Sequence, residues 1–331
     1  MADQQLPTCH LIATGGTIAM KIDPATRAPV PALSGDELVA SVPGLAAIAK
    51  IDVDNLCNVP SDYLDPEWWA TIHQRVSQAL ARAEVAGVVI THGTNTLEET
   101  AWFLDLTVAS EKPVVLVGAQ RNASEPDFDG PRNLLNAARI CVSPAARGMG
   151  VLVALNGQIN AAREATKTHT SAVESFKSGD AGFLGQVDID GRVVFARSPR
   201  RRQHLELKPA PLPRVDIVPM YPGADGALLQ AAVAAGARGL VIQATGLGHV
   251  NLPLYEAIKG AMARGVVVAI ATRVPNGRVM PYYGAPGAGR SLQQAGAVFA
   301  GDLPPHKARI LLMLALQHAS DAAGIQRLFD R

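Results

Sequence analysis

Short, near-continuous apolar runs alternate with amphipathic stretches of helical length along most of this chain, and that rhythm limits the folds open to it. Residues 9–13, 87–91, 113–117 and 150–155 are near-continuous apolar runs, broken only by His10 and by Thr91 at a run's end. Strands read this way when both sheet faces are covered, as in a parallel sheet. Helical patterns lie between them, at 66–84 and 97–109. The alternation predicts an α/β fold, a mainly parallel sheet flanked by helices. A second cycle follows, with strands at 215–218, 239–244 and 266–271 and helices at 226–235 and 252–264. A helix over 305–319 and a short one after it close the chain.

Between the cycles, 198–213 holds Pro199, Pro209, Pro211 and Pro213. Proline at that density disfavours regular structure and suits a linker. The expected organisation is a larger N-terminal domain over 1–197, a linker over 198–213 and a smaller α/β C-terminal domain over 214–331. The basic cluster Arg200, Arg201 and Arg202 has no interleaved aromatics and reads as a solvated face. A formal net charge of +1 gives no reason to expect nucleic acid or an anionic membrane as partner. The longest apolar stretches, 265–272 and 310–316, are too short to span a bilayer. The polar start, 1–7, does not read as a signal peptide, so the cytoplasm is the expected compartment. Cys9, Cys57 and Cys141 are odd in number and scattered, and read as small buried hydrophobes.

Ligands of open parallel sheets bind beyond the carboxyl ends of the strands. Thr14-Gly15-Gly16-Thr17 follows the first strand, where two glycines allow close backbone approach and leave a hydroxyl at the sheet edge. The segment lacks the lysine spacing of a phosphate loop. His92-Gly93-Thr94-Asn95-Thr96 follows the second main strand. Thr96 with Glu99 matches a capping box, which predicts a helix start there and puts Thr94 and Asn95 at its positive end. Such a place suits a carboxylate or a developing oxyanion. His92 has no second ligand at metal spacing and reads as a structural residue. Ser61 and Asp62 precede a helix at Pro66 and are the natural candidates to cap it. Lys167, set among Thr166 and Thr168, is an exposed lysine by default. Among hydroxyls it can also act as a base that activates one of them.

Taken together, these segments resemble the bacterial L-asparaginase and glutaminase-asparaginase family. The likeness rests on ATGGTIA (13–19), ITHGTNTLEETAWFLDLT (90–107), GAQRNASEPDFDGPRNLLNA (118–137) and EATKTHTSAVESFKS (164–178). It extends to GLGHVNL (246–252) and KARILLMLAL (307–316). The resemblance implies an amidohydrolase that needs no metal or cofactor, acts on a small amide, and assembles as a homotetramer of intimate dimers. By that resemblance Thr17 is the nucleophile that forms an acyl-enzyme. Thr94 works with Lys167 to activate water or the nucleophile. Ser61 holds the substrate α-carboxylate, with Asp62 beside the amino group. Gly16 lines the substrate site, and Ala119 offers its carbonyl to the leaving amide.

Two positions depart from the family's pattern. Asn95 stands where the motif has an aspartate that holds the substrate ammonium. The loop over 20–34 has no tyrosine to assist the nucleophile, and Pro29 falls near its place. Three activities stay open on the sequence: hydrolysis of L-asparagine, hydrolysis of a related amide (N-substituted, D-configured, cyclic or amino-lacking), and non-catalytic binding of an amide or dicarboxylate. The joint presence of Thr17, Thr94 and Lys167 favours catalysis.

Overall fold

The computed structural model describes residues 6–331. Most of the polar start read for a leader therefore lies outside the described residues. The chain divides into two compact units, one ending at His204 and one running Leu205–Arg331. That division falls inside the proline-rich stretch 198–213.

The first unit is built on an eight-stranded sheet. Its strands are β1 (Thr8–Ala13), β2 (Lys50–Asn55), β3 (Val85–Thr91), β4 (Val114–Val117), β5 (Val151–Leu155), β6 (Gln158–Ala161), β7 (Gly185–Val187) and β8 (Val193–Phe195). Their order across the sheet is β8-β7-β6-β5-β4-β3-β1-β2. Pairing is parallel from β2 through β5 and antiparallel from β5 to β8. Helices α1 (Pro66–Ala81), α2 (Leu97–Thr107) and α3 (Gly130–Val142) connect the parallel strands. Trp69 of α1 meets Phe103 of α2 with ring centroids 5.6 Å apart. Cys9 and Cys141 are buried in the core with Leu11, Val89, Val115 and Ile140, as small hydrophobes should be.

Three features were not read from the sequence. β2 (KIDVDN) carries Asp52 and Asp54, so it has no continuous apolar run. It is an edge strand paired on one side only. α3 mixes Arg132, Asn133, Asn136 and Arg139 with a buried face of Leu134, Ala137, Ala138 and Ile140, and a parallel β4–β5 pair needs such a crossover. The antiparallel flank begins at Asn156-Gly157, where both residues have positive φ (50° and 77°). That is the conformation a two-residue hairpin of this twist requires.

The register of the parallel strands sets the site. Ala13 is level with Asn55 and with Thr91, and Thr91 is level with Val117. The loops after β1, β2, β3 and β4 therefore leave the sheet side by side at one edge.

The second unit has a four-stranded, all-parallel sheet of Val215–Pro219, Gly239–Ala244, Val267–Thr272 and Val298–Phe299, adjacent in that order. Helices Ala227–Ala234, Leu252–Ala263, Pro305–His318 and Ala322–Phe329 accompany it. A core of Leu240, Ile242, Val268, Ile270, Leu254 and Ile258 holds it together. Among the described residues no helix is long and apolar enough to cross a membrane.

Candidate active site

The loop after β1 is pinned by Thr14, whose hydroxyl and N–H both donate to the Thr91 carbonyl, at 2.7 and 3.2 Å. Gly15 and Gly16 then adopt φ of 100° and 86°, where a side chain is strained. A Cβ on Gly16 would lie 2.3 Å from both Cα and N of Gly93. The two loops touch backbone to backbone, and that contact sets Thr17 near Thr94, each one residue beyond it. Thr17 is half-buried and opens a short 3-10 turn over Thr17–Ala19. Its hydroxyl has no hydrogen-bond partner among the described residues.

The segment after Thr17 forms a hairpin, Met20–Ile22 against Pro29–Pro31, with Pro29 opposite Ile22. Asp23 closes its tip, its carboxylate accepting from the Ala25 and Thr26 N–H groups. Ser124 and Ala123 tie the hairpin to the loop after β4.

The loop after β3 departs from the expected capping box. α2 does start at Leu97 with Thr96 as N-cap, but the Thr96 side chain makes no cap bond. Its hydroxyl donates instead to the Ser61 carbonyl at 2.7 Å, and its N–H donates to Ser61 Oγ at 3.3 Å. The Ser61 oxygen thus accepts, and its own proton is left to donate. Ser61 and Asp62 likewise do not cap the next helix, which is capped by Asp65 through the Glu67 and Trp68 N–H groups. Ser61 is buried against Gly93, where a Cβ would come within 2.8 Å of its Oγ. A loop of small residues was needed here because a serine occupies the space a side chain would fill.

Lys167 reaches this edge from a two-residue strand paired with Phe176–Lys177. Its Nζ lies 2.8 Å from Thr94 Oγ1 and 3.3 Å from Asn95 Oδ1. The Asn95 amide nitrogen donates to both carboxylate oxygens of Asp62, at 3.1 and 3.4 Å. Lys167, Asn95 and Asp62 therefore form one chain of contacts, with Thr94 branching from the lysine. Burial holds the Lys167 ammonium below the ordinary lysine range, while the Asp62 and Glu98 carboxylates oppose that shift. Thr94 is buried, whereas Asn95 and Asp62 are exposed.

His92 is fully buried between Gly93 and Thr100. Its Nδ1–H donates to the Gly93 carbonyl at 2.7 Å, and its Nε2 accepts from the Thr100 hydroxyl at 2.9 Å. Burial pushes its pKa down to about 4, so it is neutral near pH 7 and serves the loop as a structural tie. Among the described residues no three His, Cys, Asp or Glu side chains gather as a metal would require. Cys57 differs from the other two cysteines, being half-buried with its thiol donating to the Thr14 carbonyl. Burial raises that thiol to about 11.

Ala119 is wholly buried in the loop after β4. Asp129 and Asn133 hold that loop and were not singled out from the sequence. The Asp129 carboxylate accepts from the Gln120 and Arg121 N–H groups, and Asn133 donates to the Gly118 carbonyl at 3.0 Å. Two polar residues four apart, Asp129 just before α3 and Asn133 inside its buried face, were the available signal. Glu98 was missed as well. All eight residues singled out as a site thus lie on loops leaving one sheet edge or in contact with them. What the geometry offers is a free hydroxyl, a second hydroxyl in hydrogen-bond contact with a lysine, and a serine proton ready to donate.

Residues 8–201 match the model described as "Asparaginase, N-terminal", and residues 214–329 match the "Glutaminase/Asparaginase C-terminal domain". "L-asparaginase 2" of Bacillus subtilis is 36% identical over 99% of this chain and 87% of its own length. "Probable L-asparaginase periplasmic" of Haemophilus influenzae is 38% identical over 98% of this chain and 93% of its own length. A solved structure, the "Probable Cytoplasmic L-asparaginase from Campylobacter jejuni", superposes with a TM-score of 0.89 at 35% identity, covering 98% of this chain and 99% of that one. The chain belongs to the asparaginase family, with both of its characteristic domains present.

Proposed function

We propose that this protein hydrolyses the side-chain amide of L-asparagine to aspartate and ammonia. The observation that carries the reading is the 2.8 Å contact between Lys167 Nζ and Thr94 Oγ1, beside the Gly16–Gly93 contact that brings in Thr17. The Thr17 hydroxyl attacks the amide carbon and gives up its proton, ammonia leaves with a proton, and an ester to Thr17 remains. Lys167, in its neutral form, takes a proton through Thr94 and so activates the nucleophile or the water that cleaves the ester. Backbone N–H groups about Gly16 and Thr94 stabilise the oxyanion. Ser61 donates to the substrate α-carboxylate, Asp62 and Asn95 face its amino group, and the Ala119 carbonyl meets the leaving nitrogen. The same reading takes 1–197 and 214–331 as the domains, a homotetramer as the assembly and the cytoplasm as the compartment. The relatives' own descriptions name both a periplasmic and a cytoplasmic protein.

One observation favours a second reading, an amide related to asparagine. Asp62 already accepts from Asn95, and Asn95 is neutral, so the two residues offer a substrate ammonium a single negative charge. An amide lacking that ammonium, or bearing a substituent on it, forgoes less here than at a site with two carboxylates. Ammonia release across a panel decides between them: L-asparagine, D-asparagine, N-substituted asparagine and succinamic acid. The first reading expects L-asparagine to lead in kcat/KM. Preference for another member overturns it in favour of the second, and binding by thermal shift with no turnover of any member overturns both.

A further inference from the structure

The main chain of Lys167 is held as well as its side chain. Glu98, in the first turn of α2 and 7% exposed, turns its carboxylate toward the strand that carries the lysine. Its Oε1 accepts from the Lys167 backbone N–H at 3.0 Å, and its Oε2 accepts from the Thr166 hydroxyl at 2.5 Å. The lysine head meanwhile contacts Thr94 and Asn95, which immediately precede the same helix. Both ends of Lys167 are thus fastened to one short stretch, 94–98, although it is some 70 residues away in sequence (the Glu98 and Thr94 contacts span 69 and 73 positions). A strand of two residues with one partner strand is too short to fix its own position.

We propose that Glu98 is the positioning residue for Lys167, setting the distance between Nζ and Thr94 and the charge the ammonium sees. The inference rests on the reading of Lys167 as the base. A carboxylate is suited to the task because its two oxygens satisfy two donors at once, and charge-assisted bonds are the stronger kind. The charged groups facing Lys167 are Asp62 from the turn after β2 and Glu98 from α2. On the partner strand, Lys177 lies opposite Thr166 and pairs with Glu174. Removing the Glu98 charge removes one of two influences that favour the ammonium. A neutral base then persists to lower pH, even as its placement loosens.

The test is E98Q, which keeps shape and loses charge, assayed for kcat and KM across pH beside T166V and the double variant. Loss of a charge-assisted bond predicts a kcat lower by roughly ten- to a hundredfold with KM little changed. The acid limb of the rate profile should move to lower pH, a change that a general loss of fold would not produce. T166V should cost less, and the double variant less than the product of the two, because they share a bond. Wild-type kcat in E98Q, or a loss of activity with an unmoved acid limb, overturns the proposal. Should E98Q fail to fold, a T166V enzyme with wild-type kcat and pH profile overturns it instead. K167M separates the two claims: full activity there removes the base itself, whereas an inactive K167M beside an unaffected E98Q removes only the role of Glu98.

Discussion

Replacing Asn95 by aspartate tests how this site treats charge. The side chain sits 3.3 Å from Lys167 Nζ and 3.1 Å from the nearer Asp62 oxygen. A new carboxylate at the first distance attracts the ammonium by about 1 kcal/mol in bulk water and about 5 kcal/mol at an effective dielectric of about 20. Asn95 is exposed, so the lower figure governs. At about 1.4 kcal/mol per pH unit, the base holds its proton to a pH about one unit higher. The base works when neutral, so the acid limb of kcat should move up by about one unit.

Toward Asp62 the substitution sets carboxylate against carboxylate where the amide now donates a hydrogen bond. That repulsion is relieved when an ammonium lies between them. For L-asparagine the KM of N95D should fall roughly ten- to a hundredfold, the worth of a charge-assisted bond of about 1.5–3 kcal/mol. Succinamic acid, the same amide without an ammonium, should show no such gain. Ammonia release measured for both substrates from pH 5 to 9 reads out each effect. Equal changes in KM for the two substrates, or an acid limb that stays in place, would mean that residue 95 does not set the charge met by the substrate ammonium and by Lys167.

Gly16→Ala should abolish turnover, because its Cβ would fall 2.3 Å from the Gly93 backbone at a φ of 86°, and steady-state assay with a urea melt will show both activity and stability lost. His92 is neutral when folded, with a pKa of about 4 against about 6.5 unfolded, so it contributes stability above pH 6.5 that is lost as the pH falls toward 4. That loss is about 3 kcal/mol, and urea melts at pH 7 and pH 4.5 should find the gap between the wild type and His92→Gln narrower at the lower pH. Asp65→Ala removes the cap of α1 and should cost about 1 kcal/mol in the same melts, with kcat unchanged.

The parallel strands were legible because both their faces are covered, which leaves Val88, Val89 and Ile90 with no polar alternate. β2 was not, since Asp52 and Asp54 give an edge strand the look of a loop. At the site, Gly16 and the hydroxyls were visible as local chemistry, and the strand register then brought their loops together. Thr96 shows the limit of local reading. Its spacing to Glu99 predicts a cap, but the Ser61 carbonyl, 35 residues earlier, takes the hydroxyl instead. The Glu98 clamp on Lys167 was out of reach for the same reason, since no pattern within one segment records a partner 69 positions away.

In the proposed mechanism Thr17 carries the acyl group. Mass spectrometry of the enzyme quenched in acid during turnover of L-asparagine measures this most directly. An aspartyl adduct is expected on the peptide containing Thr17, and both the adduct and ammonia release should be absent from Thr17→Val. Turnover by Thr17→Val at the wild-type rate, or an adduct that maps to Thr94 with Thr17 unmodified, would contradict it.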